Sequence, residues 1–161
     1  MKLLPLLLLL GATAARAALD AEGVALGASE ADVKKQYPSA YCKPLEWPSR
    51  AADRRCDDGK GRFAGASVRI TFYLKKDAVE AFEVRFSRRD AERIAAALAG
   101  RYGKPAFEER DGKGIRLEWR QRPPGAHAQP VRAVFSWGAD KRRGQLLVAR
   151  GDFEAEIYEV R

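Results

Sequence analysis

Four stretches of this chain alternate apolar and polar side chains with a period of two, and no other feature restricts the fold as much. Val68, Ile70, Phe72 and Leu74 alternate with Arg69, Thr71 and Tyr73. Phe82, Val84 and Phe86 alternate with Glu83 and Arg85, and Ile115, Leu117 and Trp119 with Arg116, Glu118 and Arg120. Val131, Ala133, Phe135 and Trp137 follow the same rule. Successive side chains of a strand point to opposite faces, so each stretch reads as a half-buried strand. Strands of this kind belong to an antiparallel sheet with one face on a core and the other in water. Lys75-Lys76-Asp77, Asp111-Gly112-Lys113-Gly114 and the span from Gly138 to Gly144 supply the turns between them.

The buried face needs a cover, and two helices are predicted for it. Ser29 with Asp32 makes a capping-box pattern, Val33 and Tyr37 share a face at i, i+4, and Pro38 ends the helix. In the second helix Ser87 is the expected cap, with Asp90 three residues on. Ala91, Ile94, Ala95, Leu98 and Tyr102 form one apolar stripe, and Gly103 and Pro105 stop it. The span 39–65 has no clear period and reads as irregular, and 145–150 and 153–160 read as two final strands. The expected fold is therefore α+β: an antiparallel sheet with two helices packed on one face. Each half of the chain follows one plan, a Ser-x-x-Asp helix followed by strands, as a repeat of pattern rather than of sequence.

The N-terminus reads as an export signal. Met1 and Lys2 are followed by an apolar run from Leu3, and Ala15-Arg16-Ala17 is an A-x-A cleavage site. The run is shorter than the roughly 20 residues a membrane-spanning helix needs, so no transmembrane anchor is expected. Cleavage after Ala17 removes 17 of the 161 residues and leaves residues 18–161 as one domain. It also takes the charges of Lys2 and Arg16 out of the net +8. The remaining basic balance favours anionic partners, and export makes nucleic acid an unsuitable one. Periplasmic or secreted localisation also suits the only two cysteines, Cys42 and Cys56, which are expected to form a disulfide across a loop of about 15 residues.

Gly23-Val24-Ala25-Leu26-Gly27-Ala28-Ser29, leading into the first helix, and Tyr102-Gly103-Lys104-Pro105, after the second, resemble a group of exported α+β domains. These are the beta-lactamase-inhibitor-protein-like fold and the small outer-membrane assembly lipoproteins related to it. The resemblance implies a domain that binds another protein on an exposed sheet face. The chain departs from the assembly lipoproteins in having no cysteine at the cleavage site to carry a lipid.

Catalytic chemistry has little to stand on. The single histidine, His127, lies in a Pro/Gly/Ala loop with no orienting carboxylate beside it. No phosphate-cradling glycine loop and no H-E-x-x-H occurs. Asp57-Asp58-Gly59 lacks the oxygen-ligand spacing of a calcium loop and reads as a turn. No enzyme activity, cofactor or metal is expected. The informative feature is the polar side of the strands. Tyr73, Arg85, Arg116, Arg120, Arg132 and Tyr158 are the candidate binding residues, on an alternation that also carries Arg69, Glu118, Glu154 and Glu156. Arginine and tyrosine combine apolar area with hydrogen-bonding tips and are enriched at protein interfaces. The expected partner is another envelope protein. An anionic envelope ligand or polymer, held by basic turns such as Lys141-Arg142-Arg143, is the alternative.

Overall fold

A computed structural model describes residues 18–159. The expected signal segment lies outside the described residues. The chain begins with a small ribbon, β1 (Asp20–Ala21) and β2 (Val24–Ala25). Helix α1 (Glu30–Gln36) follows, then β3 (Tyr41–Pro44), β4 (Arg54–Phe63), β5 (Ala66–Lys75) and β6 (Ala78–Ser87). After a 3-10 turn at Arg88–Asp90 come helix α2 (Ala91–Tyr102), β7 (Phe107–Asp111), β8 (Gly114–Gln121), β9 (Val131–Gly138) and β10 (Arg143–Arg150). A short helix, α3 (Phe153–Glu156), follows β10.

Eight strands form one sheet in the order β3-β4-β5-β6-β10-β9-β8-β7, every pair antiparallel. Each half of the chain is one helix followed by four strands in sequence, and the halves join where β6 pairs with β10. The α+β class and the helix-plus-strands plan are thus both present. One core spans the seam: Val33 of α1, Tyr37 just after it, and Ile94, Leu98 and Tyr102 of α2 are buried in the same cluster as Ile70, Phe72, Val84, Leu146 and Phe135. Phe86 and Phe135 stack 5.1 Å apart across the seam. A Cβ on Gly144 would come within 2.3 Å of the Phe86 ring, so only glycine lets β10 pass beneath it.

The helix ends are as the sequence implied, with one exception. Ser29 and Asp32 form the full capping box of α1. Gly103, at φ 80°, closes α2, its N–H donating to the Ala99 carbonyl. Ser87, expected to cap α2, instead precedes the 3-10 turn and makes no side-chain capping bond. The tyrosine near each helix end reaches the N-terminal ribbon. Tyr37 Oη donates to the Ala21 carbonyl at 3.1 Å, and the Asp20 N–H donates to Tyr102 Oη at 3.4 Å.

Three expectations need correction. The span 39–65 is not irregular, because it contains β3 and β4. Its period was hidden by a register shift between Asp58 and Gly61 and by two residues that look polar but face the core, Cys56 and Asp58. Asp57-Asp58-Gly59 accordingly lies within β4 rather than at a turn. Buried Asp58 accepts from Ser39 Oγ at 2.7 Å and from the Lys60 N–H at 2.7 Å. The C-terminal segment, described as far as residue 159, is not a strand. Gly151, at φ 50°, turns the chain after β10, and Phe153 and Ile157 then anchor a helical turn at i, i+4.

Candidate functional site

The sheet face away from α1 and α2 carries the expected binding residues, and the register arranges them in rows across the strands. The central row runs Tyr41, Asp57, Thr71, Glu83, Leu147, Val134, Glu118, Phe107 from β3 to β7. It reads alike from either edge, with an aromatic residue on the outermost strand and a carboxylate next to it. Both aromatics are exposed, Tyr41 at 69% and Phe107 at 43%. In both halves an arginine two residues earlier on the same strand grips the carboxylate. Arg55 holds Asp57 through two bonds of 2.7 and 3.0 Å, and Arg116 holds Glu118 at 2.8 Å.

Glu118 is the hub of the β8–β9 side. It is 5% exposed and is reached by Arg116, Arg120 and Arg132. Arg132 binds both carboxylate oxygens and also contacts Glu154 at 3.2 Å. The Arg132 bonds above all hold the Glu118 pKa down at about 2, against the opposing effect of burial. The carboxylate therefore stays charged and fixes three guanidinium planes on the face.

A second row, Tyr73, Ala81, Ala149, Arg132, Arg120, is largely covered. Helix α3 and the 45–53 loop pack on it, burying Ala51, Ala52, Phe153 and Ile157 against Ala81 and Ala149. Tyr73 packs on Phe153 with ring centres 5.3 Å apart, and this burial pushes its hydroxyl pKa up to about 12. Trp47 joins the cover to α3, its Nε1 donating to the Ile157 carbonyl at 2.8 Å. A cleft of about 140 Å3 opens between α3 and the sheet beside Arg132 and Val134.

The third row, Arg69, Arg85, Gln145, Ser136, Arg116, Glu109, remains open across the sheet. Of the six candidates, Arg116, Arg120 and Arg132 are thus brought together around one carboxylate, whereas Arg85 stands apart beside Arg69. Tyr73 lies under a cover. Tyr158 is not on a strand at all, but lies just after α3, 75% exposed and stacked on Trp47 at 5.8 Å. Sequence reasoning missed Tyr41 and Phe107. The available signal was an aromatic at the start of each half's first strand, visible only once β3 is recognised as the counterpart of β7.

Cys42 and Cys56 are bonded to each other as expected, directly opposite on β3 and β4. Glu30 lies close to both sulfurs, but they are not thiolates, and its carboxylate is engaged by Arg54 and Lys34. His127 is exposed in the loop between β8 and β9. No helix among the described residues is long and apolar enough to cross a membrane. No protein family model, curated protein or solved structure matches the chain.

Proposed function

We propose that this is an exported binding module that docks an envelope protein with an acidic surface onto its open sheet face, without catalysis. The observation that carries the reading is the central row, with an exposed aromatic at each edge and an arginine-held carboxylate inside it. Such a row is preorganised. The arginines are already oriented by Asp57 and Glu118, so less side-chain freedom is lost when a partner arrives. Tyr41 and Phe107 supply the apolar anchors that dominate interface energetics. Basic side chains outnumber carboxylates over the three rows, which makes an acidic partner the complementary one. The signal-like N-terminal sequence and the disulfide support a periplasmic or extracellular location.

The test is a cross-linking capture from native envelope with the mature, disulfide-bonded protein. One envelope protein enriched by the wild type is expected to be lost with Tyr41→Ser/Phe107→Ser and weakened with Arg120→Gln. It should be retained with Lys104→Glu, an exposed site after α2. Near-UV circular dichroism verifies that each variant is folded. Charge reversal at Arg116 is unsuitable, because it would set a second carboxylate against buried Glu118. Equal capture by the wild type and the double variant would refute the reading.

A further inference from the structure

The open row ends at β5 and β6 in a cleft of about 410 Å3, lined by Gly59, Ser67, Arg69, Arg85, Arg142 and Arg143. Its arrangement is costly for the protein alone. Arg69 and Arg85 stand directly opposite each other on adjacent strands, where like charges destabilise the pairing. Glu83 takes the Nε of Arg85, leaving the outer nitrogens of that guanidinium free to donate elsewhere. Among the described residues, Arg69, Arg142 and Arg143 have no ion-pair partner. Arg143 lies opposite Ser87 at the end of β6, and the Arg142 carbonyl accepts from the Arg88 N–H at 3.0 Å, which ties the basic turn to the rim. Arg88 itself is engaged elsewhere, over the Trp137 ring at 5.2 Å. Four arginines therefore line one cleft, and among the described residues only Arg85 of the four has a carboxylate partner, Glu83.

We propose that this cleft binds a multiply charged tetrahedral oxyanion, a phosphate or sulfate group. Guanidinium forks match the oxygens of such a group two at a time, and its charge removes the Arg69–Arg85 repulsion. The site shares Arg69 and Arg85 with the open row but lies at one end of the face, and it uses neither Tyr41, Phe107 nor the Glu118 hub.

The test titrates pyrophosphate into the intact disulfide-bonded protein by calorimetry, at low and moderate ionic strength. Saturable binding is expected, weakened about tenfold by Arg69→Gln and likewise by Arg143→Gln, each of which removes a charge-assisted bond. Arg122→Gln, an exposed arginine beyond the far end of β8, should leave the affinity unchanged, as should Tyr41→Ser/Phe107→Ser. Without ligand, Arg69→Gln should melt at a higher temperature than the wild type, because the like-charge pair is gone. A variant that binds less yet is more stable has not lost affinity through misfolding. The source of the group is read with vesicles of anionic phospholipid. Flotation lost with Arg69→Gln assigns the group to a lipid headgroup, whereas pyrophosphate binding without flotation assigns it to a soluble ligand. No saturable binding, or the same loss with Arg122→Gln as with Arg69→Gln, overturns the proposal.

Discussion

Glu118 shows how one side chain can order a surface. A lone buried carboxylate would be costly, and three arginines converging on it from β8 and β9 make it favourable. Its folded pKa of about 2 is below the ordinary 4.5. It therefore contributes stability that is fully present above about pH 4.5 and lost as the pH falls towards 2. The arginines remain 40–68% exposed, so solvent screens the group and the contribution is on the order of 2 kcal/mol. Urea titrations of the wild type should show a loss of that size between pH 6 and pH 2 in excess of the loss in Glu118→Gln. Parallel acid limbs for the two proteins would show that the cluster is not coupled to folding. The alternation of 115–120 is enough to put Arg116, Glu118 and Arg120 on one face. That Glu118 is the centre depends on Arg132 standing opposite Arg120, a register set by the β8–β9 pairing, which periodicity within one strand does not encode.

At the scale of elements, the legible parts were those whose own pattern is complete. Helices α1 and α2 and strands β5, β6, β8 and β9 each carry a full period, and each is where its pattern puts it. The elements that were missed owe their form to distant contacts. Strand β3 has only four residues and no fully buried side chain, so its own sequence does little to hold it. Its partner β4 is interrupted by a register shift. Helix α3 has four residues and depends on Ala51, Ala52 and Trp47 from the loop that crosses the sheet. The Cys42–Cys56 bridge pins the weak edge strand, and with it Tyr41, to β4. For a loop of this length the bridge contributes about 3 kcal/mol. Cys42→Ser/Cys56→Ser should lose about that much in urea unfolding, and amide exchange should rise first at Tyr41–Pro44. A loss below about 1 kcal/mol would mean that the strand is held mainly by its backbone ladder.

For the whole molecule, the question is whether two similar halves make two folding units or one. Each half contributes one helix and four strands, and separation would leave β6 and β10 as open edges lined by Phe82, Val84, Leu146 and Val148. A unit of that size is only marginally stable by itself even with its apolar face covered, and these exposed edges would uncover part of that face. One core cluster is continuous across the seam: Leu146 is fully buried between Val84 on β6 and Phe135 on β9, and the Phe86–Phe135 stack bridges the halves over Gly144. The two halves should therefore unfold together. Leu146→Ala removes packing from both halves at once and should cost about 2–5 kcal/mol. Hydrogen exchange should then speed up by the same factor in Ala66–Lys75 of the first half and Val131–Gly138 of the second, with one denaturation transition retained. Faster exchange confined to one of these strands, or a second transition, would show that the halves open independently. In that case the open face, whose rows cross the seam between Glu83 and Leu147, would hold its geometry only while both halves are closed.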